Sequence, residues 1–206
     1  MALNFGQNLF PVTARRVIQS YNYLDLAEGT GVVRYQLFAT KDSAATEFII
    51  IPDSQTADII TKDGSSTGTT ASSTFVQVID QDFDMSAYNF PRNVRGKVYL
   101  QFRHSLDGAG ATSCEGYSII KIMNGATELG SVQTSTIILT EAGPLAEDEM
   151  CMIELSEKHF KKGENLTVTI ESWAKAIGGG TATMLVYHNL VTEGQEFFIW
   201  IPYKIR

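Results

Sequence analysis

The stretch KKGENLTVTIESW, residues 161–173, decides the fold class. In it Leu166, Val168 and Ile170 alternate with polar residues. A period of two predicts a β-strand with one buried face. Gly163 follows two lysines and supplies a tight turn into this strand, because glycine adopts a positive φ at no steric cost. The stretch therefore predicts a strand that is entered from a sharp turn.

Similar patterns recur along the chain, separated by turn residues. The segments predicted as strands are 31–39, 46–52, 57–62, 73–83, 96–105, 116–123, 128–140, 149–155, 166–171, 181–188 and 196–204. Asn124-Gly125 is a strong hairpin signal, and the three glycines 178–180 predict another turn. Residues 63–73 contain Ala71 as their single apolar residue, which predicts an exposed polar loop.

These strands predict an all-β protein with antiparallel sheets that share one core. We expect a two-sheet β-sandwich, specifically a jelly roll, with an immunoglobulin-like sandwich as the alternative. Residues 1–30 differ from the rest, because they contain Pro11, an arginine pair and a closing Gly-Thr-Gly turn. They predict an extended N-terminal arm, with a disordered terminus as the alternative. Residues 31–206 then form a single domain.

Composition and charge narrow the function. The chain has 206 residues, of which 44% are hydrophobic, and this suits one globular domain. Its net charge is −7, which argues against nonspecific nucleic-acid binding, since that depends on Lys and Arg. Its apolar runs are far shorter than the roughly 20 residues that cross a bilayer. We therefore expect no nucleic-acid partner, no membrane partner and synthesis in a cytoplasm without a secretory signal.

The cysteines and histidines lack the spacing of metal sites. Cys114 and Cys151 are not in a CxxC or CxxH pattern, and we predict buried free thiols. His104, His159 and His188 are far apart in sequence, whereas zinc needs at least three convergent ligands. We expect all three histidines to be structural, with their hydrogen bonds satisfied.

Asp80, Asp82 and Asp84 form the most metal-like pattern, in IDQDFDMS. Alternate carboxylates on an extended segment lie on one side and can share a calcium ion. Met85 and Ser86 follow where a calcium-binding loop of the EF-hand type needs other residues, so the alternative is a solvated strand face. No phosphate-binding glycine loop of the GxxxxGK[ST] or GxGxxG type occurs. We therefore predict no metal, no cofactor and no enzymatic activity.

Several motifs together resemble structural proteins of tailed bacteriophages and related environmental viruses. They are YNYLDLAEGTGVVRYQLF (21–38), NFPRNVRGKVYLQF (89–102), the Asn-Gly hairpin, HFKKGENLTVTIESWAK (159–175) and FFIWIPYKI (197–205). The resemblance implies a jelly roll that serves as a minor capsid, decoration or head-fibre component. It implies no catalytic residues.

From this resemblance we predict a non-enzymatic virion structural protein that assembles through its β-sandwich and its arm. The expected partners are copies of itself, as a homo-oligomer, and the major capsid protein. Within the arm, Arg15, Arg16, Tyr21 and Tyr23 are the candidate subunit-interface residues, because Tyr and Arg concentrate binding energy at interfaces. The alternative is a β-sandwich module that binds a carbohydrate or a receptor through exposed aromatic side chains.

Overall fold

A computed structural model describes residues 19–20, 30–41, 46–52, 64–141, 143–188 and 196–204. The described strands are β1 (Gln19–Ser20), β2 (Thr30–Lys41), β3 (Thr46–Pro52), β4 (Ser65–Thr70), β5 (Val76–Met85), β6 (Arg92–Ala109), β7 (Ser113–Asn124), β8 (Thr127–Gln133), β9 (Ile137–Leu139), β10 (Leu145–Phe160), β11 (Thr167–Ile177), β12 (Thr181–Tyr187) and β13 (Phe197–Lys204). The described parts contain no helix, so none that could cross a membrane. The all-β prediction is confirmed.

The strands form one mixed sheet. Its main path runs β4-β12-β6-β13-β2-β3-β5-β11-β7-β8, with β10 beside β6, β9 beside β7 and β1 beside β2. Every pairing is antiparallel except that of β3 with β5, where Ile49 lies opposite Asp84. The prediction of purely antiparallel sheets is therefore corrected to a mostly antiparallel one. The two-sheet sandwich and the jelly roll stay predictions, because the strands belong to a single hydrogen-bonded sheet.

The core lies where this sheet folds over on itself. β6 contacts β7, β10 contacts β8 and β11 contacts β12, although none of these pairs is hydrogen-bonded. Aromatic rings lie in this core: Phe197 of β13 stacks on Phe102 of the neighbouring β6, with 5.0 Å between ring centroids, and meets Phe83 of β5, which is not paired with β13, at 6.1 Å. Burial of such large side chains is the main stabilising contribution of the fold.

The predicted turns and the decisive strand are confirmed. In β11, Val168 and Ile170 are buried in the core, as their alternation predicts, but Thr167 and Thr169 of the other face are only 9% exposed, so the strand is covered on both faces. Gly125 and Gly163 adopt positive φ values of 56° and 89°. Strand β7 returns into β8 directly after Asn124-Gly125, as expected of a hairpin. The predicted strand 57–62 lies outside the described residues.

The predicted polar loop 63–73 is wrong, because Ser65–Thr70 is strand β4. It pairs with β12, and the hydroxyls of Thr69 and Thr183 lie 2.9 Å apart across the two strands. Gly68 packs so tightly that an added Cβ would lie 2.0 Å from the carbonyl oxygen of Val78. Backbone pairing and close approach hold this strand, so it needs no apolar side chain of its own.

Strands β6 and β10 form a long antiparallel ribbon. These two long strands pair from Leu145 opposite Leu106 to Phe160 opposite Arg92, with a register shift after Leu155. β13 and β12 continue the sheet on the other side of β6. The ribbon thus has an inner face on the core and an outer face away from it.

Candidate functional site

The outer face of β10, β6, β13 and β2 carries a row of large side chains. Met152 lies opposite Tyr99, Tyr99 opposite Trp200, and Trp200 opposite Arg34. Because directly opposite residues of antiparallel strands point to the same side, these four side chains form a continuous row across four strands.

A second row runs beside the first. Met150 lies opposite Gln101, and Gln101 lies opposite Phe198. The rings of Phe198 and Trp200 are 6.0 Å apart, and the guanidinium of Arg34 lies 4.9 Å from the centre of the Phe198 ring. The aromatic and cationic groups of β13 and β2 are thus in mutual contact, while the methionines of β10 extend the surface outward. The two rows together are called the outer patch.

The outer patch is apolar although much of it faces solvent. Met150 is 70% exposed, Met152 44% and Tyr99 40%. A charged pair flanks it at one end, with 3.9 Å between Arg103 Nε and Asp148 Oδ1. An apolar centre with a charged rim, containing Met, Tyr, Trp and Arg, is the composition of a protein–protein interface. The arrangement can bury a flat surface and holds no reactive group.

Sequence reasoning missed the methionines of this patch. EMCMIEL was predicted to be a strand, and it lies within β10. In it Cys151 and Ile153 are buried on the inner face while Met150 and Met152 are exposed. A strand that is apolar on both faces is covered on both faces in most proteins. The apolar residues on both faces of EMCMIEL therefore already indicated a covered outer face.

The three aspartates lie on β5, at alternate positions of its exposed face. The hydroxyl of Thr167 donates a hydrogen bond to Asp84, and that of Thr169 donates one to Asp82. Asp80 lies opposite Glu171. Alternate residues of a strand are separated by about 6.6 Å, which is wide for sharing one ion at about 2.4 Å. The structure shows two of the three carboxylates, those of Asp82 and Asp84, bonded to threonine hydroxyls of β11.

The arm residues Arg15, Arg16, Tyr21 and Tyr23 lie outside the described residues. The two cysteines do not: both are buried and free, as predicted. Burial raises the pKa of the Cys151 thiol to about 11 and raises the pKa of Cys114 as well. Neither thiol is a candidate nucleophile, because the thiolate is the reactive form.

The three histidines differ in the hydrogen-bond partners of their ring nitrogens. His159 Nδ1 lies 2.6 Å from Asn93 Oδ1, and His188 Nε2 lies 3.2 Å from Ser66 Oγ. His104 is fully buried, and its Nδ1 lies 3.3 Å from Ser118 Oγ. Its Nε2 has no hydrogen-bond partner. The prediction of satisfied structural histidines is therefore wrong for His104 Nε2.

One group of side chains within the described ranges has the geometry to hold a metal ion. It consists of His104, Glu147 and Glu149, whose ligand atoms lie within 4.8 Å of one another. Glu147 lies directly opposite His104 across the β6–β10 ribbon. These residues come from two segments of the chain, so only the strand register brings them together.

No family model matches the chain, and no curated protein is detectably similar to it in sequence. Among solved structures it resembles an α-amino acid ester hydrolase, with a TM-score of 0.54 and 12% identity over 82% of this chain. It also resembles an aminopeptidase from a marine sediment archaeon of the Thaumarchaeota, with a TM-score of 0.52 and 11% identity over 82% of this chain. The chain spans about a third of the length of these hydrolases, 36% of each.

These neighbours contradict the prediction that the chain is not an enzyme, because both are hydrolases and their TM-scores are 0.54 and 0.52. At 11–12% identity the likeness shows the fold alone and assigns no activity. A chain from a structure of infectious bursal disease virus, Gx strain, matches over 96% of this chain and 58% of its own, at 7% identity. Its TM-score of 0.29 is too low to carry an argument.

Proposed function

We propose that the chain is a structural protein of a virus particle that assembles through the outer patch. The observation that carries the proposal is the solvent exposure of Met150, Met152 and Tyr99 side by side on a regular sheet face. The resemblance of the sequence motifs to virion proteins supplies the biological setting. The expected fold within this proposal is the jelly roll.

An exposed apolar surface of this kind favours association. Covering apolar area yields about 25 cal/mol per Å², and a specific contact buries about 800 Å² on each partner. Methionine side chains are flexible and fit irregular partner surfaces, while Trp200 and Arg34 belong to the residue types that dominate interface energies. The pair Arg103–Asp148 would lie at the rim and contribute little affinity.

The partners in this proposal are copies of the chain, as a homo-oligomer, and the major capsid protein. Residues 1–30, apart from β1, which pairs with β2 of the same chain, would form an arm that crosses a neighbouring subunit, with Arg15, Arg16, Tyr21 and Tyr23 as anchors. Deleting residues 2–20 should then abolish incorporation into particles and leave the β-domain folded. Incorporation of the truncated chain would contradict the role of the arm.

The decisive test is the mass of the full chain in solution, measured by light scattering. We expect a defined oligomer for the natural chain and a monomer for the double variant Met150→Glu/Met152→Glu, because two carboxylates cannot be buried in an apolar contact. The matched control is Phe90→Glu/Ile138→Glu, which places the same charges on two exposed apolar residues outside the patch. The control should keep the natural mass.

Two results would contradict the proposal. One is an oligomer that both double variants retain equally. The other is a natural chain that is monomeric and does not bind purified capsid shells. Circular dichroism of each variant shows whether a lost oligomer reflects a lost fold.

The outer patch also supports the alternative of a carbohydrate-binding module. Tyr99 and Trp200 are cross-strand neighbours on the patch, and aromatic faces of this kind can stack on sugar rings. This function predicts saturable glycan binding by a monomer, lost in Tyr99→Ala and in Trp200→Ala. A glycan array read with these two variants and with Phe90→Ala as control separates the two functions.

A further inference from the structure

Toward one end of the β6–β10 ribbon, the inward-pointing side chains change from apolar to polar. Leu155, Ile153 and Cys151 of β10 point into the core and are buried. The next two inward positions are Glu149 and Glu147, opposite Phe102 and His104. Alternate residues of a strand share a face, so two carboxylates and an imidazole converge on the core side. The sheet thus carries three metal-binding groups where apolar side chains are expected.

Other buried groups hold the imidazole in place. The Oγ of Ser118 lies 3.3 Å from His104 Nδ1 and 3.0 Å from the Oγ of Ser172. The backbone N–H of Ser118 donates to the hydroxyl of Thr134 at 2.9 Å. This network occupies Nδ1 and aims Nε2 away from the serines. Metal-binding histidines are oriented in the same way, by a hydrogen bond at the nitrogen that does not bind the ion.

The Nε2 atom faces the carboxylates without a hydrogen bond. It lies 3.8 Å from Glu149 Oε1, beyond hydrogen-bond distance, although the His104 side chain is fully buried. An unpaired polar atom in the core is destabilising, because it has lost its hydrogen bonds to water. A group between Nε2 and the two carboxylates would remove that destabilisation.

The carboxylates of the cluster favour the binding of a cation. His104 Nε2 lies 3.8 Å from Glu149 Oε1, and Glu147 lies directly opposite His104 across the ribbon. Within the described parts of the chain, neither Lys nor Arg lies within ion-pair distance of Glu147 or Glu149. The two carboxylates therefore lack a positive partner.

We propose that His104 Nε2, Glu147 and Glu149 bind one divalent transition-metal ion of the zinc type. One imidazole nitrogen and two carboxylates form a donor set that suits Zn²⁺, Co²⁺ and Mn²⁺, whereas Ca²⁺ takes six to eight oxygens. This proposal is independent of the proposed assembly function, because the ligands lie on the opposite face of the ribbon from the outer patch.

The three ligand atoms must move slightly closer together to bind one ion. Ligands at about 2.1 Å in a tetrahedral site are separated by about 3.4 Å. The three ligand atoms lie within 4.8 Å of one another, so they must approach by about 1 Å, within reach of the glutamate χ angles. Glu149 keeps a side-chain exposure of 16%, which leaves an entry route for the ion. A bound ion would fasten β6 to β10.

A different explanation of the acidic pair has no metal. Within the described ranges β10 pairs with β6 alone, so it is an edge strand. Inward-pointing charges on edge strands discourage pairing with another sheet. On this explanation Glu147 and Glu149 are held by a shared proton, and the cluster has no affinity for metal.

The test uses the full chain, freed of metal by chelation, with Co²⁺ and Zn²⁺ as probes. We expect one Co²⁺ per chain with visible absorption bands, displacement of Co²⁺ by Zn²⁺, and a rise in the melting temperature with either ion. Isothermal titration calorimetry gives the affinity. Absence of stoichiometric binding by the natural chain would overturn the proposal.

The variants are Glu149→Gln and Glu147→Gln, which keep side-chain shape and remove the charge. Each should weaken Co²⁺ binding at least about tenfold, since even changes of outer-shell partners weaken metal sites 10- to 100-fold. The matched control is Asp148→Asn, which removes the same charge from the exposed residue between them. His104→Gln adds a second ligand test if one glutamine variant fails to fold. Equal binding by the natural chain and both glutamine variants would contradict the proposal.

Discussion

The two faces of the β6–β10 ribbon show opposite exceptions to the usual placement of side chains. On the outer face, Met150, Met152 and Tyr99 are apolar or aromatic and exposed. On the inner face, His104 is fully buried with one nitrogen unpaired. Buried polar groups and exposed apolar patches are the informative positions of a protein, since ordinary positions follow solubility. One ribbon therefore carries two distinct candidate sites.

The two faces differ in the kind of partner that their unusual side chains need. The outer patch needs a large apolar surface, which another folded subunit supplies. The inner cluster needs a small positive group, which an ion supplies. The middle of the inner face obeys the normal pattern, with Val98, Leu100 and Phe102 buried. Substitutions on the two faces should therefore have clearly different consequences.

The largest effect on stability is expected from the apolar part of the inner face. Phe102→Ala should lower the free energy of unfolding by about 3–5 kcal/mol, because it leaves a cavity beside Phe197. Tyr99→Ala, on the outer face of the same strand, should cost about 1 kcal/mol or less. Urea denaturation at one protein concentration measures both. Equal losses would contradict the assignment of the two faces.

A smaller effect is expected from the polar part of the inner face. Ser118→Ala removes the hydrogen-bond partner of His104 Nδ1 and of Ser172, and should cost about 1–3 kcal/mol. The control Ser131→Ala removes an exposed hydroxyl that bonds to Glu128, and should change stability by about 0.5 kcal/mol or less. Urea denaturation of both variants gives the comparison.

The same variant tests the orientation of the imidazole. If Ser118 positions His104 for an ion, Ser118→Ala should also weaken Co²⁺ binding about 10- to 100-fold. A stability loss with unchanged Co²⁺ affinity would show that Ser118 only fills the core.

Local patterns predicted the parts of the fold that local physics determines. The alternation of Val168 and Ile170 located β11, and Asn124-Gly125 located the β7–β8 hairpin. Strand β4 escaped prediction because its register depends on β12 and on the contact of Gly68 with Val78, which are distant in sequence. The parallel pairing of β3 with β5 was not predicted either, because it also joins residues that are distant in sequence.

The candidate sites were predictable to different degrees. EMCMIEL and FFIWIPYK are apolar on both faces, so a covered outer face could have been predicted from them. The cluster of His104 with Glu147 and Glu149 could not, because its members are brought together by the register of β6 and β10. The three aspartates of β5 offered a more regular pattern in sequence, yet the structure pairs two of them with threonine hydroxyls.

The smallest effect on stability is expected at the rim of the outer patch. Arg103 and Asp148 are 38% and 71% exposed, so their attraction is screened by solvent. Arg103→Gln should change the free energy of unfolding by about 0.5 kcal/mol or less. If the outer patch is an interface, however, the same change should alter the association rate at low salt, because rim charges steer encounter.

Stopped-flow light scattering at low and high salt measures that rate. Lys162→Gln is the control, since it removes the same charge from an exposed turn away from the patch. The rate should differ between the natural chain and Arg103→Gln at low salt and converge at high salt, because screening removes steering. An identical salt dependence for both variants would place the interface elsewhere on the molecule, and the exposed methionines would then need another explanation.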